Sequence, residues 1–145
     1  MKVLVQRCDN AQVSVDNKVV GKIDKGMMIL VGFTDTDNID NINYMVDKVI
    51  NLRIFDDEQG IMNKSLLDTN GSILSVSQFT LYADSSKGRR PSYIKALSGD
   101  KAIYLYEKFN ELLKKQNIKV ETGIFGAEMK VELVNDGPVT IMLEK

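Results

Sequence analysis

The chain has 145 residues, of which 43% are hydrophobic and 27% charged, a composition typical of one globular domain. The longest apolar run, Met27–Val31, is far shorter than the ~20 residues that a membrane-spanning helix needs. The 19 basic and 20 acidic side chains give a net charge of −1, so nucleic-acid binding would require a local basic patch.

The first third of the chain is predicted to form strands. Lys2–Arg7 is rich in β-branched and aliphatic residues, and Gln12–Val15 alternates polar and apolar residues. After a two-residue turn, Lys18–Ile23 is predicted to return as the second strand of a hairpin. Met27–Phe33 is an unbroken apolar run, which is typical of a strand covered on both faces.

The middle of the chain predicts two helices. Apolar residues recur at three- and four-residue steps from Ile39 to Arg53, which predicts an amphipathic helix capped by Asp37 or Asn38. A second apolar stripe from Ala102 to Leu113 predicts a longer helix that begins at Ser98–Asp100.

Three further strands complete the prediction. Thr69–Gly71 is typical of a hairpin turn and precedes a strand at Ser72–Gln78. Met129–Val134 and Val139–Leu143 are predicted as two strands separated by a break at Asn135–Pro138. Strands at both ends with helices between them favour an α+β fold. We expect a compact, β-barrel-like sheet of about seven strands with two main flanking helices, in a single domain spanning residues 1–145.

Missing residue types narrow the possible chemistry. The chain contains no histidine, which excludes Ser-His-Asp and Cys-His catalytic sites and zinc sites built on imidazole. The single cysteine, Cys8, excludes an internal disulfide and is interpreted as a small core residue. Because Met1–Arg7 lacks the apolar core of a signal peptide, we predict a cytoplasmic protein.

A polar segment at the end of a predicted strand is the first candidate site. Ser77–Thr80 offers hydroxyl, amide and aromatic groups that suit a pocket, although the same residues fit an ordinary strand end. Thr80 is a weak candidate nucleophile, because a threonine hydroxyl needs a nearby base and the nearest acid in the sequence is Asp84.

A second candidate is the dipeptide Gly137-Pro138, within Asn135–Thr140. The usual structure of such a segment is a turn between strands. A cis Gly-Pro bond would instead turn both neighbouring carbonyl groups to the same side, where their oxygens could accept hydrogen bonds from an amine. Glycine would let a ligand approach the backbone closely.

Two loops complete the candidates. Lys87, Arg89 and Arg90 lie together in a segment that is either a solvated loop or a patch for phosphate groups. The segment from Gly123 to Met129 places two glycines around Phe125, which fits either a loop over a pocket or a connection with a core phenylalanine.

Taken together and in this order, the segments resemble the D-aminoacyl-tRNA deacylases, a family also described as D-tyrosyl-tRNA deacylases. The resemblance covers essentially the whole chain. The matching segments are Gln6-Arg7, Leu52–Phe55, Ser77–Tyr82, Lys87–Pro91, Phe125–Met129 and Asn135–Thr140.

This resemblance implies a barrel-like fold, a homodimer with its active site at the subunit interface, and no metal or organic cofactor. It implies hydrolysis of the ester that joins a D-amino acid, or mischarged glycine, to the terminal ribose of tRNA.

The resemblance also implies roles for individual residues. Ser77, Gln78, Phe79 and Thr80 match the family's first pocket motif. Gly137 and Pro138 match the Gly-cis-Pro motif, which enters the partner subunit's pocket and sorts the two enantiomers. Pocket-wall positions near the adenine are matched by Ala102, Phe125 and Met129, and a position near the second motif is matched by Arg7.

Two other functions fit the residues without the resemblance. One is a non-catalytic nucleic-acid-binding barrel that uses Lys87, Arg89 and Arg90. The other is an amino-acid or peptide-binding protein in which Gly137-Pro138 is only a lid.

Overall fold

One long strand, β1 (Lys2–Val15), organises the sheet in the computed structural model, which describes residues 1–145. The first half of β1 pairs antiparallel with β3 (Gly26–Gly32), and its second half pairs with β2 (Lys18–Ile23). The opposite edge of β1 pairs with β8 (Lys130–Glu144) from one end to the other. The strands β2, β3 and β8 therefore pair with β1 directly, and the rest of the sheet is joined to β1 through β3.

The sheet curls until it is nearly closed. β3 pairs in parallel with β6 (Ser72–Ser77), and β6 pairs in parallel with the short β7 (Val120–Thr122). Strand β2 then lies against β6 and β7. Gly21 permits this approach, because a Cβ atom there would lie 2.7 Å from the carbonyl oxygen of Thr122. The predicted barrel-like α+β fold is confirmed.

Two long helices cover one face of the sheet. Helix α1 (Ile39–Ile50) begins after Asn38, whose side chain accepts hydrogen bonds from two backbone N–H groups of the first turn. Helix α3 (Gly99–Lys114) follows Ser98. Both helices turn their apolar stripes towards the sheet, as the three- and four-residue spacing predicts. Neither they nor the shorter helices are long and apolar enough to cross a membrane.

The remaining elements are short. The strands β4 (Phe55–Asp56) and β5 (Met62–Lys64) form a small separate hairpin. Helix α2 (Leu66–Thr69) leads into β6, and a 3₁₀ turn (Phe79–Tyr82) follows it.

The apolar side chains form two clusters on the two faces of the sheet. The larger lies between the sheet and the long helices and includes Ile29, Met45 and Phe109. The smaller lies inside the curl of the sheet and includes Cys8 and Leu74. Burial raises the pKa of the Cys8 thiol to about 11, so its reactive thiolate form is scarce at neutral pH. This agrees with the prediction that Cys8 is a core residue.

Three sequence predictions about strands and turns are wrong. Lys2–Arg7 and Gln12–Val15 are parts of one strand, because β1 stays paired with β8 between them. The break predicted at Asn135–Pro138 lies inside β8, which resumes its pairing after a bulge. Thr69–Gly71 is the end of helix α2 rather than a hairpin turn, and Asn70 ends that helix in a left-handed conformation.

We expect Gly21→Val to lower the free energy of unfolding by about 1–3 kcal/mol, because the added side chain must push β2 away from β7. Urea denaturation measures the effect. The control variant, measured in parallel, is Lys22→Ala, a change at an exposed neighbouring position. Equal stability of the two variants would contradict this account of sheet closure.

Candidate active site

A mostly apolar cavity of about 280 Å³ opens at the end of strand β6. The strand β6 contributes Ser77, and the turn that follows contributes Gln78 and Phe79. The first turn of α3 contributes Ala102, and the segment between β7 and β8 contributes Phe125 and Met129, completing the set of sequence-predicted side chains at the cavity.

The polar end of the cavity is fixed by the way the chain leaves the sheet. The backbone N–H of Gln78 donates to the carbonyl oxygen of Val31 at 2.7 Å, just past the last paired residues of β3 and β6. The chain then turns, and the side-chain amide Nε2 of Gln78 donates to the hydroxyl oxygen of Thr80. Thr80 itself does not line the cavity, so the structure places this hydroxyl behind Gln78.

The opposite wall is braced from behind. The ring of Phe125 packs against Tyr106, with the ring centroids 5.7 Å apart. The Tyr106 hydroxyl donates to the carbonyl oxygen of Ser75 at 2.8 Å, and burial raises the pKa of Tyr106. These contacts hold Phe125 at a fixed distance from strand β6.

None of the side chains that line the cavity is an acid, a base or a thiol. The polar side chains there are those of Ser77 and Gln78, and the other polar groups belong to the backbone. The folded chain also brings together no group of three or more His, Cys, Asp or Glu side chains suited to a metal ion. The cavity can therefore bind and orient a substrate by shape and hydrogen bonds, but its side chains offer no general base.

The Gly137-Pro138 segment lies outside this cavity. Four residues, Asp136–Val139, bulge from β8 opposite Arg7, and neither Gly137 nor Pro138 lines the cavity of its own protomer. Both are exposed, and the peptide bond between them is cis. Gly137 has φ = +123°, a conformation that side chains disfavour, and a Cβ atom there would lie 2.9 Å from the Val139 side chain.

Arg7 fastens this bulge to the body of the protein. Its buried guanidinium donates to the carbonyl oxygens of Asp136 at 3.1 Å and Ile54 at 2.7 Å. It also forms ion pairs with the carboxylates of Asp136 and Asp56, at 3.2 and 3.4 Å. On the other side of the bulge, the Asn135 side chain accepts a bond from the Val139 N–H at 2.9 Å. The exposed bulge is thus held at both of its ends.

The basic residues Lys87, Arg89 and Arg90 lie in a fully exposed loop. Paired backbone bonds between Asp84 and Ser92, at 2.8 and 2.9 Å, close its base. None of the three cations takes part in an ion pair, so all three are free to meet an external anion.

Several cavity residues were not predicted from the sequence. Phe33 and Leu97 line it and are joined by a bond from the Leu97 N–H to the Phe33 carbonyl oxygen at 2.9 Å. Phe33 directly follows β3, and Leu97 lies in the segment before α3. No local sequence pattern predicts that these two segments come into contact. The anchoring contacts of Arg7 likewise depend on segments far apart in the sequence.

We expect Arg7→Lys to destabilise the protein by about 1–3 kcal/mol, because one ammonium cannot reach the partners that the planar guanidinium joins. The Val139 N–H should also exchange with solvent faster as the bulge loosens. Urea denaturation and amide hydrogen exchange measure both effects, with the exposed Arg53→Lys as the matched control. Wild-type stability and exchange in Arg7→Lys would refute the anchoring role.

Comparison with known proteins gives a consistent result. The family model described as D-Tyr-tRNA(Tyr) deacylase matches residues 4–144. A Bacillus velezensis protein named D-aminoacyl-tRNA deacylase is 56% identical over 144 residues, covering 99% of this chain and 98% of that protein. A Bacillus subtilis protein named inactive D-aminoacyl-tRNA deacylase is 58% identical over 130 residues, covering 90% of this chain and 98% of that protein.

Two solved structures share the fold. One, titled c-Myc DNA Unwinding Element Binding Protein, superposes with a TM-score of 0.94 at 40% identity and covers 100% of this chain and 99% of its own. The other, titled as a probable eukaryotic D-amino acid tRNA deacylase, has a TM-score of 0.85 at 21% identity, with 98% and 97% of the two chains covered. The family match spans nearly every element described above, and the chain belongs to the D-Tyr-tRNA(Tyr) deacylase family.

Proposed function

We propose that the protein hydrolyses the ester of D-aminoacyl-tRNA, and of glycyl-tRNA mischarged on a non-cognate tRNA, to release free tRNA and the amino acid. The observation that supports this best is a cavity with a polar strand end and no acid, base or thiol, in a chain of this family. Such a cavity suits a substrate that is already activated, because an aminoacyl ester needs little more than orientation and charge stabilisation.

The proposed reaction uses water held beside the substrate. Water attacks the carbonyl carbon, and backbone N–H groups at Phe79 or Thr80 stabilise the negative oxygen that forms. One such donor typically contributes about 2.7–4 kcal/mol. The ester C–O bond then breaks, and the adjacent ribose hydroxyl helps transfer a proton from the attacking water to the departing ribose oxygen. In this mechanism Thr80 positions groups and does not attack.

Selection between enantiomers is assigned to Gly137 and Pro138. Their carbonyl oxygens are proposed to hold the substrate α-amine and to leave no space where an L side chain would point. A D side chain would face outward, and glycine would fit because it has no side chain. A thousandfold preference corresponds to about 4 kcal/mol, which a steric clash and unpaired polar groups can supply.

This arrangement requires a homodimer. Gly137 and Pro138 do not line the cavity of their own protomer, so we propose that they enter the cavity of a partner. A two-fold axis would then produce two equivalent sites, each with Ser77–Thr80 from one subunit and the bulge from the other. The firm anchoring of the bulge by Arg7 suits a part that must be presented to another molecule.

The tRNA backbone is assigned to the basic loop. Lys87, Arg89 and Arg90 would neutralise phosphate groups without reading sequence, and binding should weaken as salt rises. The reaction is proposed to take place in the cytoplasm, as a quality-control step in translation.

One observation favours a second candidate function. The solved relative at 40% identity has a title that names a DNA-binding protein, and the free cations of the basic loop would equally suit nucleic-acid binding without catalysis. Binding without release of amino acid would identify that function.

We expect rapid loss of the ester from D-tyrosyl-tRNA and none from L-tyrosyl-tRNA, with or without a chelator. Release of labelled tyrosine over time measures this, and spontaneous hydrolysis without protein is the control. Equal rates for the two esters would contradict the proposed selection. Survival of both would support the binding function, and inhibition by the chelator would reveal a required metal.

Mixing two inactive variants should restore activity if each site uses both subunits. Ala102→Phe fills the cavity, and Gly137→Val disables the bulge, so each variant alone should be inactive. After subunit exchange at equal amounts, random pairing should leave roughly a quarter of the sites intact. Deacylation of D-tyrosyl-tRNA measures the recovery, and native mass spectrometry confirms that mixed dimers form. Mixed dimers without activity would exclude a shared site.

A further inference from the structure

Two exposed aromatic side chains in contact, Phe79 and Tyr93, extend from the cavity, and a third large apolar side chain follows them in the chain. Phe79 is 54% exposed, and its ring meets the edge of Tyr93 with the centroids 5.1 Å apart. Ile94, the next residue, is 94% exposed, more than any other large apolar side chain in the protein. We call Phe79, Tyr93 and Ile94 the ledge. Because Phe79 also lines the cavity, the ledge begins where the cavity ends.

The exposure of Ile94 results from a fixed backbone. The Ala96 N–H donates to the Tyr93 carbonyl oxygen at 2.9 Å, which closes a turn with Ile94 at its outer corner. The Lys95 carbonyl oxygen accepts a bond from the Thr34 hydroxyl at 2.7 Å. Thr34 is held in turn, because its N–H donates to the buried Asp37 at 2.8 Å. A polar residue is the usual choice at such a corner, and the isoleucine there adds to the exposed apolar surface of Phe79 and Tyr93.

The charges around the ledge indicate the chemistry of its partner. Lys87, Arg89 and Arg90 lie between Phe79 and Tyr93 in the chain, Lys95 follows Ile94, and none of the four forms an ion pair. An exposed aromatic pair among free cations matches single-stranded nucleic acid, whose bases stack on apolar surfaces while its phosphates meet cations.

We propose that the ledge stacks the unpaired nucleotides that directly precede the terminal aminoacylated adenosine of tRNA. This inference rests on the proposed function and adds a binding site for a further part of the same substrate. The terminal nucleoside would enter the cavity, the preceding bases would lie on Phe79, Tyr93 and Ile94, and the basic loop would take the phosphates beyond them. Stacking of this kind needs no hydrogen bond to a particular base.

The test compares two non-hydrolysable probes in which an amide replaces the ester: D-tyrosyl-adenosine and D-tyrosyl-CCA trinucleotide. The Kd of D-tyrosyl-adenosine divided by the Kd of the trinucleotide reports how much the two added cytidines contribute to binding. Ile94→Ser should lower that ratio severalfold, because a base that covers the isoleucine side chain would lose apolar contact area. The matched control is Ile61→Ser, since Ile61 is an exposed isoleucine in the β4–β5 hairpin, and it should leave the ratio unchanged.

Several results would contradict the proposal that the ledge stacks nucleotides. An unchanged ratio in Ile94→Ser would do so, as would a wild-type protein that hydrolyses D-tyrosyl-tRNA but binds both probes equally. Conversion of a dimer to a monomer by Ile94→Ser, seen by sedimentation, would identify the ledge as a subunit contact instead. If the wild type binds neither probe and hydrolyses no D-aminoacyl ester, both the proposed function and the proposed stacking site are refuted.

Discussion

The ladder between β1 and β8 opens most widely opposite Arg7, and the second half of the candidate site depends on how that opening is closed. Four residues of β8, Asp136–Val139, stand opposite the single residue Arg7. Their backbone groups cannot pair with β1, so the buried guanidinium and the Asn135 side chain supply partners in its place. Pairing resumes at Thr140, opposite Gln6. A bulge that would otherwise be a loose loop is thereby held against a rigid sheet.

The cavity depends on a second interruption of the same sheet. The parallel ladder of β3 and β6 ends at the bond between Val31 and Gln78, and the chain then turns into the 3₁₀ segment. That turn places Phe79 beside a space bounded by apolar walls. Because no ionisable side chain of this chain borders the space, the proposed hydrolysis relies there on fixed dipoles and on the substrate's own groups. The absence of histidine from the whole chain agrees with such a mechanism.

Elements with a long periodic pattern could be predicted from the sequence, and elements set by distant contacts could not. The spacing of apolar residues located α1 and α3, and Asn38 caps α1 as proposed. β4, β5 and β7 have only two or three residues each, too few for a period to show. Gly137 and Pro138 normally end a strand, so the continuation of β8 could not be inferred without knowing the position of Arg7.

The residues of the candidate site divide in the same way, into those that a sequence feature indicates and those that only the folded chain brings together. The resemblance to the deacylases is what predicts Ser77–Thr80 and Gly137-Pro138 as site residues, since their local patterns also fit an ordinary strand end and a turn. Phe33 and Leu97 could not be predicted as cavity residues, since each has the sequence pattern of an ordinary core residue and only the fold brings them to one wall. The large core between the sheet and the long helices includes residues such as Ile29 and Phe109, which do not line the cavity. The same core also includes Val31 and Phe33, which do line it, so the cavity is built partly from residues that hold the fold together and partly from polar residues at the strand end.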